Sequence, residues 1–184
     1  MDHYQDIRLL PDPEFAPQML VSALFSRLHR ALVQSGFQRI GISFPQVKRD
    51  LGHTLRLHGS ASDLACLQQS PWLKGMRELI DLGVIKPVPS GVSYRTVRRV
   101  QVKSSVERLR RRAVKKGWLS EEQAREQLAA SAEKRSSLPY VQLKSASTGQ
   151  HFLLFIEHGP LLDAPRSGTF NTYGLSATAT VPWF

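Results

Sequence analysis

Cysteine is almost absent from this sequence, and long apolar runs are absent altogether. The single Cys66 cannot form a disulfide within the chain, and its helical spacing with Leu64 and Leu67 predicts a buried small side chain rather than a reactive thiol. Without a long apolar run, the sequence has no candidate for a membrane-spanning helix. Residues 1–4 lack the basic and apolar regions of a secretion signal. We therefore expect a soluble, cytoplasmic protein that does not bind membranes.

Motifs for metal and nucleotide binding are also missing. The histidines have no metal-ligand spacing with one another or with acidic residues. The sequence contains no glycine-rich loop of the kind that surrounds a nucleotide phosphate. It therefore predicts no metal, no cofactor and no small-molecule ligand.

Acidic residues are few relative to basic ones. The chain carries 25 Lys and Arg residues against 15 Asp and Glu, a formal net charge of +10 and a pI near 10.3. Such a charge attracts polyanions at long range. A membrane surface is one possible polyanion, but the sequence has no basic amphipathic helix with a broad apolar face. Nucleic acid is the expected partner.

A strand with polar side chains on one face is predicted from residue 99. Val100 and Val102 alternate with Arg99, Gln101 and Lys103, which is the pattern of a strand buried on one face. We therefore expect Arg99 and Gln101 to project side by side from the polar face. Arginine and glutamine can each form paired hydrogen bonds with a base edge, so both are candidates for base recognition.

A basic helix over residues 105–116 is predicted to follow this strand. Ser104 and Glu107 have the spacing of a capping box, which marks the start of a helix. Most of the helix surface is cationic and carries Arg108, Arg111, Arg112 and Lys115, with Arg110 and Lys116 at the flanks. These charges would suit the phosphates of a nucleic acid, whereas a solvated, self-repelling helix face is the alternative interpretation.

Periodicity over the first 91 residues predicts the order strand, helix, strand, strand, helix, strand, which is typical of ferredoxin-like domains. The strands are predicted over 3–10, 40–44, 55–57 and 84–88, and the helices end near Gly36 and Gln69. Prolines, a serine and a glycine at residues 87–91 mark a boundary. We predict an α+β protein, with a ferredoxin-like βαββαβ domain over 1–91 and a smaller mixed α/β domain over 92–184 that carries the basic helix and would bind the nucleic acid.

The second domain gives weaker signals. Ser120 and Gln123 have the spacing to cap a second helix. Short strands are predicted over 141–144, 151–156, 170–173 and 181–184. Their topology does not follow from the sequence.

Ordered segments along nearly the whole chain carry a resemblance to a known family: Met1–Tyr4, His29, Arg99–Ser104, Glu107–Arg112, Ser145–Phe152, Tyr173–Ser176 and Val181–Phe184. The chain resembles the CRISPR repeat-processing endoribonucleases of the type I-F systems, which belong to the wider group of ferredoxin-like CRISPR RNA nucleases. Lys115 and Lys116 depart from the pattern, because arginines are expected there.

The resemblance implies a function. Such enzymes bind the stem-loop of a CRISPR repeat transcript, cut at the 3′ base of the stem without a metal, and keep the mature guide RNA within a type I-F surveillance complex. By position, His29 would be the general base, Ser145 would hold the 2′-hydroxyl and Tyr173 would orient the imidazole, with Ser147 in support. The products would be a 2′,3′-cyclic phosphate and a 5′-hydroxyl. Neither the sequence nor the resemblance indicates a general acid.

The resemblance also implies the RNA contacts. Arg99 and Gln101 would recognise the lowest base pairs of the stem, and Phe152 would stack under the terminal pair. The phosphates would be bound by residues of the basic helix, namely Arg112, Lys115 and Lys116, with Arg108 and Arg111 as further candidates.

Ordinary structural roles are the alternative for the catalytic and stacking candidates. His29 borders an apolar helix stripe and could be a surface histidine, and Ser145 and Ser147 could be turn residues. Phe152 and Tyr173 could belong to the core. Two functions other than the nuclease also remain open: a non-catalytic stem-loop-binding subunit of a guide-RNA surveillance complex, and a generic basic module that binds RNA or DNA.

Overall fold

The computed structural model describes residues 1–101, 111, 113–124, 126, 137–145 and 148–184. The first half of the chain has the predicted βαββαβ order. Its elements are β1 (His3–Leu9), α1 (Pro17–Ser35), β2 (Gly41–Ser43), β3 (Thr54–Gly59), α2 (Ala61–Gln69) and β4 (Ile80–Leu82). A short 3-10 turn at Arg77–Leu79 precedes β4, and a two-residue strand, β5 (Lys86–Pro87), follows it.

The strands of this half form one sheet in the order β2-β3-β1-β4, with every neighbouring pair antiparallel. An all-antiparallel sheet in this order is the ferredoxin-like arrangement. The predicted α+β class is therefore confirmed. Side chains alternate across β1, so that Gln5, Ile7 and Leu9 share a buried face.

The predicted fourth strand over 84–88 is only partly correct. The strand that pairs with β1 begins earlier in the chain: Ile80 is buried and pairs with Leu9, whereas Val84 is 68% exposed. Between β4 and β5, the backbone N–H of Gly83 donates to the carbonyl of Asp6 at 2.9 Å. The two short strands therefore pair in turn with the same edge of β1.

Helix α1 has the apolar stripe that the sequence predicts. Leu20, Leu24, Leu28 and Leu32 are buried, and each such side chain stabilises the fold by roughly 1.5–3 kcal/mol. The helix begins at Pro17 and ends before Gly36, which has a φ of 67° and closes the helix in the left-handed conformation. Within the described residues, no helix combines the length and apolar composition needed to span a bilayer.

Two further sheets form in the second half. Strand β6 (Ser93–Arg95) pairs with β10 (Val181–Trp183), and a three-stranded sheet has the order β7 (Val97–Val100), β9 (His151–His158), β8 (Tyr140–Lys144). The capping box at residue 120 is confirmed, because the N–H of Gln123 donates to Ser120 Oγ and the N–H of Ser120 donates to Gln123 Oε1, both at 3.2 Å.

Helix α1 lies against both halves of the chain. Ser22 Oγ accepts a hydrogen bond from the backbone N–H of Gln142 in β8 at 3.0 Å. One buried apolar cluster joins residues of α1 and the first sheet to residues of β8 and β9. The division into domains at residue 91 stays a prediction. Helix α1 is the element that brings the two halves together at the site described below.

Two local predictions were wrong. Cys66 is exposed, because it lies on the side of α2 opposite the buried Leu64 and Leu67. Residues 170–173 form a turn rather than a strand. Within it, Asn171 Oδ1 accepts the N–H of Tyr173 at 2.9 Å, a side-chain contact that is typical of turns.

Candidate active site

A cleft of about 370 Å³ lies between α1 and the turn that connects β8 to β9. Four of the predicted site residues line it: His29, Ser145, Phe152 and Tyr173. Two cations, Arg30 and Lys144, also line the cleft, and no acidic residue does so within the described part of the chain. Residues from three distant parts of the sequence therefore form one positively charged cleft.

His29 is half-buried, and its imidazole has a defined orientation. Its Nδ1 atom lies 2.8 Å from the backbone carbonyl oxygen of Thr172. A carbonyl oxygen can only accept a hydrogen bond, so Nδ1 carries the proton. In the neutral ring, Nε2 then keeps its lone pair and can accept a proton from another group.

Aromatic stacking fixes the plane of the same imidazole. The ring of Tyr173 lies 4.0 Å from the His29 ring with an interplanar angle of 13°. Phe25 also stacks with Tyr173, at 5.8 Å, and Phe44 stacks with Phe25 at 6.4 Å, so the rings reach into the core. Tyr173 therefore packs against the core through Phe25 and also contacts His29, so the two alternatives for this residue are compatible.

Ser145 closes the hairpin between β8 and β9. Its Oγ accepts a hydrogen bond from the N–H of Thr148 at 3.3 Å, and its backbone N–H donates to the carbonyl of Gln150 at 2.9 Å. These are contacts of a turn residue, yet the turn places Ser145 in the same cleft as His29. Ser147, the predicted supporting residue, lies outside the described residues.

Arg99 lies beside two residues that line the cleft, Phe152 and Tyr173. Phe152 is half-buried and packs against the apolar core. The guanidinium carbon of Arg99 lies 5.8 Å from the ring centroids of both Phe152 and Tyr173. Arg99 Nε is buried and has no hydrogen-bond partner among the described residues. The cation at position 99 is thus close to the residues around His29.

The face of β7 that carries Arg99 differs from the prediction. Arg99 pairs with the buried Ile156 and shares a face with the buried Val97, whereas Arg98 lies on the other face and forms an ion pair with Glu157 at 2.6 Å. The alternation of Val100 and Val102 predicted the wrong buried face of the strand, because the buried valine, Val97, lies before those residues and on the same face as Arg99. Gln101, one residue beyond β7, is exposed.

Only part of the predicted basic helix is described. Arg111, Lys115 and Lys116 are exposed, and the Lys116 ammonium lies 4.8 Å from the ring centroid of Trp118. Arg108 and Arg112 lie outside the described residues, as do Ser104 and Glu107 of the predicted capping box.

Sequence reasoning missed the residues that hold His29 and Tyr173 in place. Thr172 contributes a backbone carbonyl, which no side-chain pattern reveals. Asn171 and Gly174 build the turn around it, and the spacing of an asparagine and a glycine is a turn signal that the strand prediction overlooked. Among the described residues, no three His, Cys, Asp or Glu side chains lie close enough together to hold a metal ion.

These features define a basic α+β protein with a ferredoxin-like sheet and an oriented histidine in a cationic cleft. The family model described as CRISPR-associated protein (Cas_Csy4) matches residues 4–184. The chain belongs to this family.

Two similar proteins align over the full length of both chains. A protein of Escherichia coli (strain UTI89 / UPEC), named CRISPR-associated endonuclease Cas6/Csy4, is 55% identical over 184 residues. A protein of the same name from Pseudomonas aeruginosa (strain UCBPP-PA14) is 51% identical over 187 residues.

Proposed function

We propose that this chain is a metal-independent endoribonuclease that binds the stem-loop of a CRISPR repeat transcript and cuts at the 3′ base of the stem. The observation that carries the proposal is the orientation of His29, which leaves Nε2 as the basic nitrogen in a cation-lined cleft. Two full-length relatives are named as CRISPR-associated endonucleases, which supports the same activity.

The chemistry is an internal transfer at one phosphate. His29 Nε2 takes the proton of the 2′-hydroxyl upstream of the cleavage site, and the 2′-oxygen attacks the adjacent phosphorus. The bond from phosphorus to the 5′-oxygen breaks, that oxygen takes up a proton from water, and the His29 imidazolium returns its proton to the solvent. The products are a 2′,3′-cyclic phosphate and a 5′-hydroxyl. Ser145 holds or polarises the 2′-hydroxyl, and Ser147 supports it.

The cleft also accounts for the position of the stem. Phe152 presents a half-buried ring on which the terminal base pair stacks, and base stacking on an aromatic ring contributes roughly 1–3 kcal/mol. Arg99, which lies beside that ring, and Gln101 recognise the lowest base pairs. Base edges in the major groove of A-form RNA are hard to reach, and the open end of a short stem is where they become accessible.

Phosphate binding falls to the basic region that follows β7. Lys115 and Lys116 contact the phosphates of the stem together with Arg112, and Arg108 and Arg111 are further candidates. The net charge of +10 supports this assignment, because it favours association with any polyanion. After cleavage the protein stays on the 3′ hairpin of the guide RNA, as a subunit of a type I-F surveillance complex.

Cleavage of a repeat transcript tests the proposal. His29→Ala should abolish cleavage while hairpin affinity stays within about tenfold, which is a change of ~1.4 kcal/mol. His53→Ala is the matched control, because His53 is exposed and does not line the cleft. Hairpin binding by the wild-type protein without any cleavage would favour the stem-loop-binding subunit instead. Equal binding of a hairpin and an unstructured strand would favour the generic basic module.

Two further arms test the mechanism. Cleavage should persist in excess EDTA, because His29 and a hydroxyl activate the 2′-hydroxyl without a metal. A substrate with deoxyribose just upstream of the scissile phosphate should bind and stay whole, because the nucleophile is missing. Metal dependence, or cutting of the deoxy substrate, would falsify internal attack by the 2′-oxygen.

A further inference from the structure

The turn at residues 171–174 contacts His29 in two independent ways. We propose that Asn171 is a positioning residue for the reaction, because its side chain builds the turn that holds His29 in a single tautomer and a single plane. The inference rests on the proposed function, in which His29 is the general base. Asn171 itself acts through the backbone of Thr172 and the ring of Tyr173.

The side chain of Asn171 shapes the turn directly. Its Oδ1 accepts two backbone N–H groups, that of Tyr173 at 2.9 Å and that of Leu175 at 3.2 Å. Its own carbonyl accepts the N–H of Gly174 at 2.8 Å. Gly174 has a φ of 70°, and a Cβ at this position would lie 2.7 Å from Ile42 Cγ2, so glycine is required. The Asn171 side chain and Gly174 therefore define the backbone path of the turn.

Backbone hydrogen bonds fasten the turn to three other parts of the fold. The N–H of Phe170 donates to Gln38, just after α1, at 3.0 Å, and the N–H of Ile42 in β2 donates to Gly174 at 3.0 Å. The N–H of Ser176 donates to Val97 in β7 at 2.9 Å. The turn is thus a fixed support, against which the His29 side chain is held.

The two contacts with His29 constrain different motions. The Thr172 carbonyl lies at hydrogen-bond distance from Nδ1 and selects the tautomer in which Nδ1 carries the proton. The Tyr173 ring is nearly parallel to the imidazole, at 4.0 Å and 13°, and restricts its rotation. Because these contacts come from adjacent residues, one turn controls both. In other catalytic histidines, an acceptor that binds the N–H of one ring nitrogen likewise fixes the tautomer and the orientation of the ring.

Removal of the Asn171 oxygen should loosen this support without unfolding the protein. Asn171 is exposed, so Asn171→Ala deletes no core contact. Asn171→Ser is the conservative variant, because a serine hydroxyl forms the same kind of turn contact more weakly. Asp12→Ala is the matched control, since Asp12 Oδ1 also accepts two backbone N–H groups, those of Glu14 and Phe15, in a turn away from the cleft.

Two readouts separate positioning from stability. The first is the 15N chemical shifts of the His29 ring in the RNA-free protein at neutral pH, which report which nitrogen carries the proton. The second is the single-turnover cleavage rate, measured beside the affinity for the uncleavable deoxy hairpin. We expect Asn171→Ala to give a mixture of tautomers and a roughly tenfold slower cleavage, with affinity within about twofold. Asn171→Ser should restore most of both, and Asp12→Ala should change neither.

An unchanged His29 tautomer in Asn171→Ala would overturn the inference, and so would an equal loss of affinity and rate. The spectroscopic arm needs no catalysis, so it remains decisive even if the proposed function fails. Failure of the proposed function would be seen in a different experiment, as cleavage of the hairpin by the His29→Ala variant.

Discussion

Replacement of Tyr173 tests how much the stacked ring contributes to catalysis. Tyr173→Leu removes the ring contacts with His29 at 4.0 Å and with Phe25 at 5.8 Å, while it keeps an apolar side chain. An aromatic pair is worth ~0.5–1.5 kcal/mol beyond simple burial. If the energy of the Tyr173–His29 pair serves to orient the imidazole, loss of the pair should slow single-turnover cleavage by roughly 2- to 12-fold. Tyr173→Phe keeps both ring contacts and should cleave within about twofold of the wild type.

The assay is single-turnover cleavage of a repeat hairpin at saturating protein, with affinity measured separately on the deoxy hairpin. Saturation matters because it removes weaker binding as a cause of slower cleavage. Wild-type rates for Tyr173→Leu would show that stacking does not orient His29. A Tyr173→Phe variant as slow as Tyr173→Leu would assign the effect to the phenolic hydroxyl and refute the stacking argument.

Three further predictions concern specificity, charge and pH. Arg99→Ala should cost ~1–3 kcal/mol of affinity on the cognate stem and little on a stem with the facing base pair changed; equal losses would mean that Arg99 reads no base. The double variant Lys115→Ala, Lys116→Ala should flatten the log-log salt dependence of binding by ~1–2 units on every stem, and an unchanged slope would show that these lysines touch no phosphate. Burial, helped by nearby Arg56, lowers the pKa of His58 to about 3, and burial with nearby Arg95 lowers the pKa of His158 to about 4. Below pH 6.5 only the unfolded chain protonates these rings, so denaturant titrations should show the free energy of unfolding falling by roughly 2 kcal/mol per histidine between pH 7 and pH 5. His58→Gln should remove about half of the combined change from the two histidines. Equal stability of the wild-type protein at both pH values would contradict the burial argument.

Features of the fold that depend on neighbouring residues could be predicted from the sequence. The stripe of α1 and its end at Gly36 were correct, because helical spacing and a left-handed glycine are local signals. The cap at Ser120 was also correct, since its side chain accepts the N–H of Gln123, three residues away. The ferredoxin-like order followed from the sequence of elements alone.

The geometry of the cleft could not be predicted in the same way. The group that accepts the Nδ1–H of His29 is a main-chain carbonyl 143 residues away, and a main-chain carbonyl leaves no mark in a pattern of side chains. The face of β7 was misassigned for a related reason. Burial of Val97 is decided by its neighbours in β9, and not by the alternation that starts at Arg99.

In the proposed mechanism, base recognition and cleavage depend on neighbouring residues, and this links specificity to the cleavage rate. Arg99 is equally distant from Phe152, the proposed platform for the terminal base pair, and from Tyr173, the ring that stacks on His29. A base pair that draws the guanidinium into hydrogen bonds should therefore change the surroundings of the Tyr173 ring, which in the proposed mechanism orients the general base. Binding energy from the correct stem can in this way act on the transition state as well as on affinity. A wrong base pair should accordingly slow cleavage at saturation, in addition to weakening the complex.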